Sequence, residues 1–255
     1  MKMLYDGAKA LGLTLTRQEL DAFQVYQRDL AEWNQRFNLT AISDEQQVQL
    51  RHFLDSLSCL LALDGSRSAT AARVDGGRRI GSAVRQLTAK AIDVGTGPGF
   101  PGIPLKIVCP RLKLTLLEAT GKKVTFLEHM VQALNLKDVQ IIHDRAELAG
   151  QLPEHREGYD LVLARAVADL SILVEYTLPL CRMGGQVIAQ KGQDVQAEVM
   201  AAEHAITLLG GKLRHMIEVE LAGLAESRSL VVIDKVARTP GNYPRRPGLP
   251  NKKPL

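Results

Sequence analysis

Asp93-Val94-Gly95-Thr96-Gly97-Pro98-Gly99-Phe100-Pro101-Gly102 is the stretch that decides how this chain folds. The apolar run 89–94 before it reads as a strand, and Ile103-Pro104-Leu105-Lys106-Ile107-Val108 after it reads as a short helix with prolines in its first turn. A strand that passes through glycines into a helix brings bare backbone amides against a ligand. The helix N-terminus adds partial positive charge, so a nucleotide-like cofactor is expected here.

Downstream, strand and helix patterns alternate: strands at 113–118, 139–143, 159–165 and 186–190, helices at 121–134, 170–180 and 195–209. Such alternation predicts an α/β fold, a parallel sheet with helices on both faces. The last two strands, 212–220 and 229–236, have no helix between them and must form an antiparallel hairpin at one edge of a seven-stranded, mostly parallel sheet. Upstream, residues 16–37 carry a helical stripe of Leu20, Phe23, Val25, Leu30, Trp33 and Phe37, with Thr16 and Glu19 matching a capping box. Residues 43–63 read as a second helix capped by Ser43. The expected organisation is a helical cap over 1–63, a basic linker or insertion over 64–88, the cofactor-binding domain over 89–237 and a basic tail over 238–255.

The chain has 255 residues, 45% of them hydrophobic, enough for one sizeable core. Cys59, Cys109 and Cys181 lack any paired spacing, which argues against a disulfide framework or zinc site and for a reducing cytoplasm. The N-terminal residues do not read as a signal peptide, no apolar window of about 18 residues suits a membrane span, and a monomer is expected. Net charge is +4, but segment 64–90 holds six Lys/Arg against two Asp, and 238–255 holds five Lys/Arg against no acid. Either segment suits a polyanion such as RNA, or is a solvated, partly disordered stretch. Arg245, Arg246, Lys252 and Lys253 alternate with prolines, which predicts an extended tail that cannot become a helix.

Gly97-x-Gly99-x-x-Gly102 with Glu118 further on satisfies a dinucleotide fingerprint, so a nicotinamide oxidoreductase is one reading. Asp93 and the antiparallel hairpin favour S-adenosyl-L-methionine instead. That cofactor is a sulfonium and ammonium cation, which a carboxylate beside the turn attracts, whereas a diphosphate would be repelled. The fourth strand ends in Leu163-Ala164-Arg165-Ala166-Val167, without the Asn/Asp-Pro-Pro turn that amine methylation needs. No cysteine is placed as the nucleophile of pyrimidine-carbon methylation, since Cys109 precedes its proline and Cys181 reads as helical. A ring nitrogen with a free lone pair is one remaining acceptor, and a small-molecule or protein substrate for the same cofactor fold is the alternative.

Together with the glycine stretch, Thr115-Leu116-Leu117-Glu118, residues 121–127, Arg145-Ala146-Glu147, Ala164-Arg165-Ala166 and Gln190-Lys191-Gly192 resemble the RsmG (GidB) family. Trp33-Asn34, Asn38-Leu39-Thr40, residues 51–56, Arg246-Pro247-Gly248 and 252–255 extend the resemblance over nearly the whole chain, with 64–88 longer than that family's usual link. The resemblance implies a class I S-adenosylmethionine-dependent methyltransferase fold and methylation of N7 of a guanine in 16S ribosomal RNA of the small ribosomal subunit. It implies that Gly95 and Phe100 line the cofactor, Glu118 contacts its ribose, Ala146 and Glu147 border the adenine, and Arg165 reaches the site. Asp93 and Gly97 join this set from the glycine loop. Lys191, Arg245, Arg246, Lys252 and Lys253 are the expected RNA contacts. Catalysis would come from holding N7 in line with the methyl group, with no general base. Arg165 has a plainer alternative, an ion pair with Asp93 or Glu118 that steadies the loop. His52 and Asp55, three apart on one helical face, could meet as acid/base partners, but the expectation is a structural hydrogen bond that seats the helical cap.

Overall fold

The computed structural model describes residues 1–63, 80, 82–165, 168–192 and 195–255. Most of segment 64–88, and Ala166, lie outside the described residues. The chain opens with a helix the sequence pattern did not signal, α1 (Lys2–Ala10), which buries Leu4 and Ala8. Thr16 caps α2 (Arg17–Phe37): its hydroxyl accepts from the Glu19 N–H while the Glu19 carboxylate accepts from the Thr16 N–H. The buried stripe of α2 runs through Phe23, Tyr26 and Leu30 and passes Val25 by, because positions 23, 26 and 30 keep helical spacing.

Asp44, not Ser43, caps the next helical stretch. This comprises α3 (Glu45–Val48), a π-helical turn (Gln49–Leu54), α4 (Asp55–Ser58) and α5 (Leu60–Leu63). The wide turn carries Arg51 and His52, and such turns recur where side chains are diverted to a site.

The sheet elements are β1 (Lys90–Val94), α6 (Gly102–Val108), β2 (Lys113–Glu118), α7 (Gly121–Ala133), β3 (Val139–His143), α8 (Ala146–Ala149) and β4 (Tyr159–Arg165). They continue with α9 (Leu170–Thr177), β5 (Cys181–Lys191), α10 (Gln196–Leu208), β6 (Gly211–Val219) and β7 (Arg228–Lys235). The strand order is β3-β2-β1-β4-β5-β7-β6, and β7 runs antiparallel to both neighbours. Cys181 opens β5 rather than lying in a helix. The C-terminal stretch, expected to stay extended, contains the short helix α11 (Leu249–Lys252) with Pro250 in its first turn, where a missing N–H costs nothing.

Period-two alternation divides the strands between two cores. Ala91, Leu161, Leu163, Ile188 and Val232 face a cluster shared with α1, α2 and the helices through Leu63. Ile92, Val162, Ala164, Val187 and Val231 face the cluster formed with α9 and α10. The N-terminal helices are thus packed into one face of the sheet. Tyr26 pins them to the glycine stretch: fully buried, it stacks on Phe100 at 5.2 Å and its hydroxyl donates to the Pro98 carbonyl at 2.5 Å. Tyr26→Phe leaves that carbonyl without its buried donor, so the free energy of unfolding should fall by about 1–3 kcal/mol, read from urea denaturation; an unchanged midpoint would show the bond carries no net stability.

Candidate functional site

The carboxyl ends of β1, β2, β4 and β5 converge on one edge of the sheet, where ligands of parallel α/β sheets bind. The glycine loop after β1 is built around Asp93, which has no solvent exposure. Its Oδ2 accepts from the Thr96 hydroxyl at 2.5 Å and from the Gly102 N–H at 2.8 Å. A Cβ on Gly102 would stand 2.9 Å from that oxygen and 2.8 Å from Leu116 Cδ2, so only glycine admits this approach. Gly95 and Thr96 donate to the Leu117 carbonyl, tying the loop to β2. At the end of β2, Glu118 accepts from the Gly97 N–H at 2.9 Å and from the Thr120 N–H at 2.8 Å.

Asp93 Oδ1 is buried without a partner, and burial pushes the carboxyl up to about 6 despite the two bonds to Oδ2. Gly95 is exposed, and a Cβ added at Gly97 would meet nothing within 4 Å, so the loop has an open side. An orphan carboxylate oxygen, a second acid and bare glycine backbone suit a cofactor that carries hydroxyls and positive charge. They do not suit a diphosphate. The first amide of α6, where a diphosphate would bind, already belongs to Asp93, and β7 breaks the continued parallel sheet of dinucleotide folds.

Arg165, at the end of β4, pairs with neither Asp93 nor Glu118. Its guanidinium donates to Asp55 Oδ2 and to the Arg51 carbonyl, both at 3.1 Å, and lies 5.0 Å from the Phe100 ring. His52 stacks on the same Phe100 at 4.5 Å. Its Nε2 meets Thr40 Oγ1 at 2.8 Å, and the Thr40 N–H donates to the Asn34 side chain. Burial, reinforced by Arg165, lowers His52 to about 3, so the ring is neutral at pH 7. Arginine has only donors, so His52 Nδ1, 3.4 Å from Arg165, is the acceptor and Nε2 carries the proton. His52 and Asp55 therefore face Thr40 and Arg165 respectively, not each other.

Asp55 is also approached by Arg228 at 3.7 Å and by Gln190 Nε2, which donates to its backbone carbonyl at 2.5 Å. These groups line a cavity of about 330 Å³ between the π-helical turn and the ends of β4 and β5. A cavity of about 430 Å³ lies instead beside Asp160 and Arg182, toward the amino ends of β4 and β5, away from the glycine loop. Sequence reading missed Gln190 and Arg228 as site residues; Gln190 stands in a quoted motif, but Arg228 follows a loop and carries no local signal.

At the third-strand corner, Ala146 is half-buried and Glu147, in α8, accepts from the Gly248 N–H at 2.9 Å. The C-terminal segment thus reaches the expected adenine edge. Arg156 reinforces this docking by donating to the carbonyls of Gly150, Tyr243, Thr239 and Pro240. The expected RNA contacts divide. Arg245 turns inward onto Glu175, which has no solvent exposure, through its backbone N–H, Nε and Nη2. Lys191 is paired with Glu198 at 2.5 Å and donates to the Ala168 carbonyl. Arg246, Lys252 and Lys253 face solvent. Among the described residues no group of three His, Cys, Asp or Glu is placed to hold a metal, and no helix is long and apolar enough to cross a membrane.

The family described as rRNA small subunit methyltransferase G (GidB) matches residues 19–78 and 79–231. The chain is 46% identical over 248 residues to the ribosomal RNA small subunit methyltransferase G of Roseiflexus castenholzii, covering 97% of this chain and 97% of that one. It is 44% identical over 253 residues to the protein of the same name from Alkaliphilus metalliredigens, covering 99% of this chain and 98% of that one. Among solved structures, an MtNAS mutant aligns with a TM-score of 0.51 at 16% identity over 83% of this chain and 71% of that one, a likeness of fold alone.

Two outcomes follow from the two carboxylates. Asp93 ionises near the ordinary 3.8 when unfolded and at about 6 when folded, so its contribution to stability is full below pH 4 and lost as pH rises through 6. Urea titrations should show wild type losing up to roughly 3 kcal/mol relative to Asp93→Asn across that window and nothing more above pH 7; a difference independent of pH would rule this out. Arg245→Ala strands Glu175 and should cost roughly 3 kcal/mol, with amide exchange accelerating first in residues 239–253. Uniform acceleration through the sheet would mean the pair supports the whole fold.

Proposed function

The chain belongs to the rRNA small subunit methyltransferase G family, and from that premise we propose that it transfers a methyl group from S-adenosyl-L-methionine to N7 of a guanine in 16S ribosomal RNA, acting in the cytoplasm on the small ribosomal subunit. Asp93, Gly95, Gly97, Phe100 and Glu118 hold the cofactor, with Ala146 and Glu147 at its adenine edge. When bound, the cofactor supplies an electrophilic methyl group to the N7 lone pair. The protein has no proton to remove from that nitrogen, so its task is to position the base and to manage charge.

Positive charge accumulates on the guanine as it is methylated, and an unpaired cation beside it would oppose the reaction. Arg165 is not unpaired: Asp55 faces it at 3.1 Å, and the adjoining His52 is neutral. The observation that carries the reading is the sharing of Phe100, which belongs to the glycine loop yet forms one wall with His52 and Arg165. Loop and pocket are thereby held in fixed register. The helices of residues 1–63 supply His52 to that wall, the domain over 89–237 supplies the cofactor loop, and the exposed Arg246, Lys252 and Lys253 suit phosphates of the RNA backbone.

Labelled methyl transfer to small subunits that lack the modification, with N7 identified by selective strand cleavage, tests the assignment. Arg165→Ala should reduce kcat/KM by about a hundredfold through misplacement of Phe100 and the base. Unchanged transfer together with unchanged affinity for S-adenosylhomocysteine would remove Arg165 from the site.

A further inference from the structure

Gln190 is 3% exposed and lines the pocket between the π-helical turn and the sheet. Its amide nitrogen donates to the Asp55 carbonyl at 2.5 Å, to Asp55 Oδ1 at 3.3 Å and to Ser58 Oγ at 3.3 Å. The first two partners are pure acceptors, which fixes the amide: nitrogen toward Asp55, oxygen away from it. That oxygen, Oε1, is buried and has no donor. A buried carbonyl without a donor is rare and costly, and it points to something absent that brings an N–H.

The surroundings define what that partner is. A phosphate is excluded at this atom, because a carbonyl oxygen repels it. The pocket also offers the neutral His52 ring beside Phe100, a surface for stacking, and the guanidinium groups of Arg165 and Arg228, donors for a carbonyl oxygen. A stacking plane, one unsatisfied acceptor and fixed donors match a nucleobase that presents an amine and a carbonyl. Registry places the acceptor where it is needed: Gln190 pairs with Arg165 across β4 and β5, at the end of the sheet that carries the glycine loop.

We propose that this pocket receives the acceptor guanine and that Gln190 Oε1 reads it by accepting from its exocyclic N2 amine, with Asp55 as the positioning residue that orients Gln190, Arg165 and Arg228. This rests on the reading of the chain as an rRNA guanine-N7 methyltransferase. Inosine is the decisive probe, since it keeps N7 and the carbonyl and lacks only the amine. Small subunits are reconstituted on rRNA bearing guanine or inosine at the position that wild-type enzyme methylates. Wild type should lose about tenfold in kcat/KM on inosine. Gln190→Leu should lose about tenfold on guanine, lose nothing further on inosine, and keep its affinity for S-adenosylhomocysteine. A merely structural Gln190 would leave the guanine preference of the variant intact, and that result, or equal wild-type rates on both bases, overturns the proposal. Should Gln190→Leu not fold, Gln190→Met, which keeps the length of the side chain and likewise removes the acceptor, replaces it with the same expected and overturning outcomes. No transfer by wild type to native subunits or free rRNA would instead overturn the underlying methyltransferase reading.

Discussion

A carboxylate shut away from water holds the functional end of this molecule together. Asp93 sits at the end of β1 with no exposure, and the loop that follows bends back until Thr96 and Gly102 both bond to one of its oxygens. Burying that group is unfavourable, as its raised ionisation range shows, and the two hydrogen bonds offset part of the cost. The loop's shape follows from this contact. With its second turn anchored on Asp93 and its first on the Leu117 carbonyl, Gly97 is delivered to Glu118 and Phe100 is turned toward the N-terminal helices.

Those helices are part of the site. From α2, Asn34 holds the Thr40 backbone, Thr40 holds His52, and His52 stacks on Phe100. From the π-helical turn and α4, Arg51 and Asp55 hold Arg165. Each step is a short-range contact with a defined geometry, and together they connect residues distant in sequence to one aromatic ring. Charge is balanced in the same place: Asp55 answers Arg165 and Arg228, and the imidazole beside Arg165 stays neutral.

Much of this was legible from local signals. Alternating periodicities located all seven strands to within a few residues, except that β5 begins earlier, at Cys181; Gly184 and Gly185 fall in an irregularity where the register shifts between the Tyr159–Cys181 and Leu161–Gln186 pairs. The capping box at Thr16 located α2, while α1 went unread because its small apolar face of Leu4 and Ala8 gains meaning only against the helices it covers. Asp93 and Glu118 were legible as acids flanking the loop, but their partners were not. That Arg165 chooses Asp55 over the nearer-seeming acids depends on how the helical region docks, which no local pattern encodes. The same holds for Arg245, whose proline-rich setting suggested an extended, solvent-facing tail. A buried glutamate supplied by α9 decides otherwise.

Asp55 is joined to Arg165 and Gln190 across 110 and 135 residues of intervening chain. Contacts of such separation close only after large stretches have lost their freedom, and they slow the approach to the native state. The pocket walled by Asp55, Arg165 and Gln190 therefore exists only when the N-terminal helices and the β4–β5 pair are both in place. A chain with its helices docked and its strands only partly paired has His52 and Asp55 in place but lacks the Arg165 and Gln190 side of the pocket, so the cavity belongs to the completed fold and to neither part alone.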